Sequence, residues 1–442
     1  MAACFDVAVA GGGPAGAFAA RELARTGVDV VLIDPDTTRP RLEGLGERVA
    51  LILRQKGLED ALQAASAPMR RSVRWAGLND TANGERLVRR HDFDAALRHA
   101  AIEAGVTVRK ARLRRIEQDD PETGVTLSLA DGETVTARLM IDARGRQAPS
   151  TNRQKGPQTL AIAGLFSRPT PHSGTHVEAT PQGWVWSAVE PGFGPWLQIC
   201  IDADDLPGSG QAALAERMRA FLAQPQFDGR FETYGFEGDL LARPAGLVLS
   251  APKLSLPVLS IGDAAVAIDP LSGHGLFWAI SSALAAVPSV LTLLEGEDPD
   301  LAARFYRHRV VGTFWRQARI GRDFYRLETD LAAHPFWAAR AAWPDNEPAH
   351  AVADATRLDR RVVVDGNRLK EREVLITPQD PEGVAFVCGL PVRELLELSR
   401  TEARATGPAE ALRWLESRGL LSGLPDQPQK ATETHTRMRE TA

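Results

Sequence analysis

Residues 5–34 read FDVAVAGGGPAGAFAARELARTGVDVVLID, and the rest of the chain is interpreted outward from them. The stretch opens on an apolar run, Val7-Ala8-Val9-Ala10, and turns through Gly11, Gly13 and Gly16 in the G-x-G-x-x-G spacing. An Ala-rich helical segment, 15–26, follows and stops at Gly27, where a C-terminal glycine belongs. A second apolar run, 28–34, ends in Asp34. Gly11 permits the tight turn, and Gly13 lets a pyrophosphate approach a backbone that carries no Cβ. Pro14 and Ala15 open the helix whose free N–H groups face the phosphates, and Gly16 lets that helix lie close on the strand. Asp34, 18 residues past Gly16, is placed to accept ribose hydroxyls. Strand, glycines, helix, strand and acid in this order point to dinucleotide binding, without choosing between NAD and FAD.

A chain of 442 residues is long for one core, so two or three lobes are expected. Hydrophobic residues at 44% and charged residues at 25% are ordinary for a soluble globular protein. A net charge of −5 argues against a dedicated nucleic-acid binder, and the arginine clusters at 109–115 and 357–361 have acids close by. Cys4, Cys200 and Cys388 are far apart and form neither a C-x-x-C nor a zinc spacing, which suits a reducing cytoplasm and no metal. The first strand follows the N-terminus almost directly, leaving no room for a signal peptide. Residues 275–294 are 20 uncharged residues, long enough to span a bilayer. Ser281, Ser282 and Pro288 interrupt them and no basic flank anchors them, so a core helix and no membrane are expected.

Further along, helices are expected at 49–62 and 91–104, and strands at 72–77, 106–108, 113–118, 124–130 and 133–141, with a hairpin turn at Asp131-Gly132. From 159 to 249 the pattern changes to strands at 160–166, 183–189 and 195–202 around a helix at 211–222. Helices dominate 300–342, a region rich in aromatics. Beyond about 345, short strands at 361–364, 373–376 and 382–387 and helices at 392–398 and 408–418 suggest a compact appendage, and the polar tail from 425 reads as disordered.

A second strand ends in Gly262-Asp263, followed by Asp269-Pro-Leu-Ser-Gly273-His274-Gly275 opening the apolar helix. A carboxylate at a strand end and a glycine-flanked turn at a helix N-terminus suit a large cofactor with an electron-rich ring.

With these motifs the chain resembles the FAD-dependent aromatic hydroxylases of the p-hydroxybenzoate hydroxylase type, which include the tryptophan halogenases. The glycine loop with Asp34, the strand end Ile141-Asp142-Ala143-Arg144-Gly145, the pair Gly262-Asp263 with Pro270–Gly275, and Arg90-His-Asp-Phe93…Leu97 carry the resemblance over residues 1 to about 330. It implies an α/β fold: a Rossmann-like FAD domain from 1–75, 88–158 and 251–344 and an inserted β-sheet substrate domain from 76–87 and 159–250; the short strands and helices beyond them read as a winged-helix-like α+β domain at 345–424. It implies that Gly11, Gly13, Pro14, Ala15, Gly16 and Asp34 hold the ADP half of FAD. Asp263 would bind the ribityl chain, and Gly273, Gly275 and Leu276 would lie against the isoalloxazine, with Arg48 near the cofactor. Ala143 stands where the hydroxylases usually carry glycine.

Gly183-Trp184-Val-Trp186 is similar to the halogenases' W-x-W-x-I-P, but Ala188-Val189 replaces Ile-Pro. No lysine lies between Lys56 and Lys110 to carry an oxidised halide, so monooxygenation is favoured over halogenation. The implied chemistry is attack of an electrophilic flavin hydroperoxide oxygen on an electron-rich ring, with oxygen as co-substrate. Electrons would come from NAD(P)H or from a reductase. His274 is the first candidate for proton management and Glu47 the second; the alternatives are a turn histidine and a helix N-terminal acid. Trp184 and Trp186, on one strand face by period two, are candidates for lining the substrate cavity, with core packing as the alternative. The pattern resembles most the branch that modifies tryptophan in a protein, maturing the tryptophylquinone of quinohemoprotein amine dehydrogenase. That implies a small partner subunit carrying the target tryptophan; the C-terminal appendage is either a docking surface for it or a stabilising cap over the helical region. A small-molecule hydroxylase or halogenase, and a non-catalytic flavin-binding assembly protein, stay open.

Overall fold

The computed structural model describes residues 4–37, 41–150, 152–167, 174–189, 195–206, 208–227, 235–399 and 408–421. The expected tail at 425–442 lies outside them. The chain divides into two units, Met1–Ala349 and His350–Ala442.

The first unit is built on a seven-stranded sheet whose centre is the opening strand, Cys4–Ala10. Its near-continuous burial is what a parallel strand covered on both faces requires. Val30–Ile33 and Thr107–Arg109 extend the sheet on one side, all parallel. On the other side lies Thr134–Asp142, whose outer edge is shared by two partners. The first half pairs antiparallel with Gly124–Leu129, and the last three residues pair parallel with Val258–Ser260. The parallel strands therefore end together at Ala10, Ile33, Asp142 and Ser260, and the loops carrying Gly11–Gly13, Asp34, Ala143–Gly145 and Gly262-Asp263 leave from one edge of the sheet. Three helices, Pro14–Ala24, Arg90–Glu103 and Gly275–Leu294, pack on one face. Phe18, Leu23, Phe93, Leu97, Ile280 and Phe314 are among the side chains of that core. By length and apolarity Gly275–Leu294 is the one candidate membrane span among the described residues; here the glycine-loop helix covers it, and Trp278 donates to the Gly262 carbonyl at 3.1 Å.

The second sheet has eight strands in the order Phe236–Pro244, Thr159–Phe166, Pro195–Asp202, Gly183–Val189, Gly174–Thr180, Met69–Trp75, Leu78–Arg89, Leu42–Leu45. The boundary expected at residue 75 is corrected: Leu42–Leu45 and Met69–Trp75 belong to this sheet. Gly174–Thr180 pairs parallel with Met69–Trp75, where every other junction is antiparallel. One face packs on the helix Gly210–Leu222 through Ile162, Phe166, Val185 and Ile199. The other carries Trp75, Val177, Trp184 and Cys200 against Tyr325, Phe336 and Trp337, from the helices Pro299–Leu327 and Pro335–Ala342. Trp75 meets Trp337 edge-on, with ring centroids 4.9 Å apart, the geometry that opposed ring quadrupoles favour.

The helix expected over 49–62 is two helices, Glu47–Gln55 and Glu59–Gln63. Gly57 breaks it, in a left-handed conformation with φ of 65°. In the second unit a long hairpin, Arg357–Asp365 with Arg368–Ile376, precedes two helices, Val392–Leu398 and Ala409–Glu416. Leu375, Val392, Leu395 and Leu415 form its core.

Candidate active site

The glycine loop is closed by its neighbours. Gly11 has φ of 105°, and a Cβ there would meet the Ala143 backbone; a Cβ on Gly16 would overlap the Gly11 carbonyl oxygen. Gly13 differs: the nearest atom to its missing Cβ is Arg90 Nη2, 4.0 Å away. The space over Gly13 is open, and the helix Pro14–Ala24 begins with no side-chain cap, leaving its first N–H groups free for a phosphate. Asp34 stands beside the loop, its Oδ2 accepting the Gly12 N–H at 2.6 Å and its Oδ1 accepting the Asp36 N–H at 2.8 Å. Arg98 donates to the Gly12 carbonyl and, at 2.7 Å, to Asp36.

The other motifs converge on the same edge. A Cβ on Gly262 would lie 3.0 Å from the Ala15 methyl, so the Gly262-Asp263 turn rests on the glycine-loop helix. Ser282 Oγ accepts the Gly262 N–H at 2.9 Å and fixes that turn to Gly275–Leu294. Asp263 faces Arg146 at 3.5 Å. Gly273 is left-handed with φ of 64°, and a Cβ there would lie 4.0 Å from Arg71 of the second sheet. The space around Gly275 is open, whereas the Leu276 side chain is core. His274 occupies the position before the helix, its Nδ1 3.4 Å from Gln317 Oε1. Burial lowers its pKa, the Gln317 contact opposes this, and the Arg48 and Arg316 charges lower it further, so the imidazole is neutral at pH 7. Arg48 itself lies over the Phe277 ring, 5.9 Å from its centre.

Glu47 opens its helix with a side chain 62% exposed and pairs with Arg54 at 2.7 Å and Arg86 at 3.8 Å. The Arg54 hydrogen bond holds its carboxyl below the usual range. Trp184 is 2% exposed inside the aromatic cluster, while Trp186 is half-buried at its margin. Lys56 is held by Glu22 at 2.7 Å, and Lys110 faces Asp36 at 3.3 Å beside the Asp34 end of the loop.

Sequence reading missed a cluster of charges between the two sheets. Arg90 holds Asp94 with two bonds of 2.8 Å and Glu43 at 3.1 Å, and Arg41 and Arg243 also face Glu43. Burial raises the Glu43 carboxyl, but these three guanidiniums overcome that and hold it well below the ordinary carboxylate range. Burial draws Arg41 down to about 10. The signal available was Arg90, four residues before Asp94 on a helix, the spacing of a pair.

A family model described as lycopene cyclase protein matches residues 6–172. Among solved structures, the peptidyl tryptophan dihydroxylase QhpG, described as essential for tryptophylquinone cofactor biogenesis, is 35% identical. It superposes with a TM-score of 0.82 over 95% of this chain and 100% of that one. The chain belongs to the FAD-dependent monooxygenases. This FAD-dependent monooxygenase is also 29% identical over 308 residues to the menaquinone reductase of Mycobacterium tuberculosis (strain ATCC 25618 / H37Rv), covering 63% of this chain and 74% of the relative. It is 26% identical over 368 residues to the tryptophan 2-halogenase of Chondromyces crocatus, covering 76% and 70%. The open space over Gly13, the uncapped helix N-terminus and the anchored Asp34 fit the ADP half of FAD.

Proposed function

We propose that this chain hydroxylates a tryptophan side chain carried by a small partner subunit, twice on the indole, during biogenesis of a tryptophylquinone cofactor in the cytoplasm. The observation that carries this reading is the end-to-end similarity to the peptidyl tryptophan dihydroxylase, 95% of one chain against 100% of the other. Gly11, Gly13, Pro14, Ala15 and Gly16 hold the cofactor's phosphates on the helix N-terminus, Asp34 its ribose and Asp263 its ribityl chain. FAD, reduced by NAD(P)H directly or through a reductase, supplies the activation of oxygen. Gly273, Gly275 and Leu276 offer backbone N–H groups to the ring, and Arg48 sets the local charge. His274, as a neutral imidazole, takes a proton from the substrate side. Trp186, half-buried at the margin of the aromatic cluster, orients the indole, and Trp184 packs inside that cluster as part of its core. The C-terminal unit supplies a docking surface for the partner.

The test is mass spectrometry after incubating the yellow protein with a flavin-reducing system and oxygen. The tryptophan-bearing small subunit of a tryptophylquinone enzyme and free L-tryptophan are compared. A gain of two oxygens on the subunit alone is expected. Oxidation of the free amino acid alone overturns the reading in favour of a small-molecule hydroxylase.

A further inference from the structure

Across from Gly273, the second sheet presents a cation. Arg71 lies on Met69–Trp75, and a Cβ on Gly273 would come within 4.0 Å of its Nη1. Gly273 belongs to the turn whose N–H groups are offered to the cofactor ring. The guanidinium therefore stands at the ring end of the cofactor edge, on the side of the second sheet.

Its charge is compensated more loosely than those of other arginines between the sheets. Arg90 is closed by Asp94 and Glu43, and Arg146 donates to the Gly246 and Ile268 carbonyls at 2.8 and 3.0 Å. Arg71 is half-buried and faces Glu85 at 3.8 Å, beyond hydrogen-bond reach. Its buried Nε has no hydrogen-bond partner among the described residues. Glu85 is engaged elsewhere. Thr175 Oγ1 donates to its Oε1, and its Oε2 fills the space that Gly44 leaves by having no Cβ. A cation so placed acts on any charge that a ligand at the turn acquires, and a unit charge roughly 10 Å away in a partly dry site changes such an equilibrium by about tenfold.

Oxidised isoalloxazine is neutral, whereas reduction by two electrons and one proton leaves a negative charge on it. The electrons come from NAD(P)H or a reductase, which is oxidised in turn. We infer that Arg71 stabilises the reduced, anionic ring of the bound flavin and so raises its reduction potential. The inference rests on the FAD reading of the cofactor edge, and it gives the second sheet a part in the redox step.

The experiment measures the midpoint potential of the flavin bound to the full chain, by anaerobic dithionite titration against a reference dye. Arg71→Met removes the charge and keeps an unbranched stem. It is expected to lower the potential by about 30 mV or more, a tenfold loss in the two-electron reduction constant. By linkage, its affinity for oxidised FAD is expected to stay within about twofold of wild type while that for reduced FAD falls about tenfold. Arg70→Met removes an exposed charge on the other face of the same strand, and is expected to leave the potential unchanged. Glu85→Gln removes the opposing charge, keeps an oxygen for Thr175, and is expected to raise the potential.

An unchanged potential in Arg71→Met, an equal loss of affinity for both redox states, or an equal shift in Arg70→Met overturns the inference. Should Arg71→Met lose its flavin, Glu85→Gln decides, and a potential that does not rise there overturns it. A chain that binds no flavin overturns the cofactor reading as well. Oxygen gained by the tryptophan-bearing subunit is measured separately, and its absence leaves the shift in potential standing.

Discussion

Gly16 faces the Gly11 carbonyl so closely that no side chain fits between them, whereas Gly13, three residues earlier, has open space around its missing Cβ. The two glycines therefore serve different masters, the fold and the ligand. Gly13→Ala is expected to fold with the thermal stability of the wild-type apoprotein, since φ of −72° suits alanine. Its FAD dissociation constant is expected to rise at least tenfold. Gly16→Ala is expected to lose both stability and flavin. Thermal melts of the apoproteins and fluorescence titration with FAD separate the two cases.

Glu43 is the anion among Arg41, Arg90 and Arg243. Glu43→Gln removes the anion that faces Arg41 and Arg243, while Arg90 keeps Asp94, and is expected to cost about 3 kcal/mol of stability at pH 7. The folded-state pKa is depressed, so this contribution is complete above the ordinary carboxylate value of 4.5 and is lost as pH falls toward the folded value. Urea denaturation of wild type and variant is expected to give a difference that shrinks below that pH.

His274 is neutral at pH 7 because burial and two nearby arginines disfavour its charge. His274→Ala is expected to slow oxygenation of the tryptophan-bearing subunit by about 100-fold while flavin reduction is unchanged. In wild type the rate is expected to fall on the acid side as the imidazole protonates, through a pKa below 6.5. In the variant that limb is absent. Single-turnover rates across pH measure it.

Bromide is expected to leave the product unchanged. Lys56 is held by Glu22 and Lys110 faces Asp36, so neither flanking lysine is free to carry an oxidised halide. Brominated product, detected by its isotope doublet, would count against monooxygenation.

Much of the first sheet was legible because its signals are local. Gly11, Gly13 and Gly16 announce a turn, and apolar runs on either side announce buried parallel strands. The convergence of Gly262 on Ala15 was suggested by two loops of matching chemistry. Less visible were Gly174–Thr180 and Phe236–Pro244, whose half-polar patterns carry little periodicity. The pairing of Met69–Trp75 with a strand about 100 residues later depends on tertiary contact and has no local mark. The Arg41–Glu43–Arg90–Arg243 cluster was hidden for the same reason. Asp269 was visible only as a neighbour of Pro270; its approach to Tyr325 follows from how Pro299–Leu327 packs.

The second sheet is stitched from separate parts of the chain. Leu42–Leu45, Met69–Trp75 and Leu78–Arg89 reach it before residue 90, and the remaining strands arrive after 158. The second sheet is thus not a transplantable cassette. Moving residues 159–250 into a relative would strand Gly174–Thr180 beside a foreign edge and part Arg243 from Glu43. Specificity in this protein is accordingly inherited by the chain as a whole, and a graft that respects it has to carry both sides of the parallel seam.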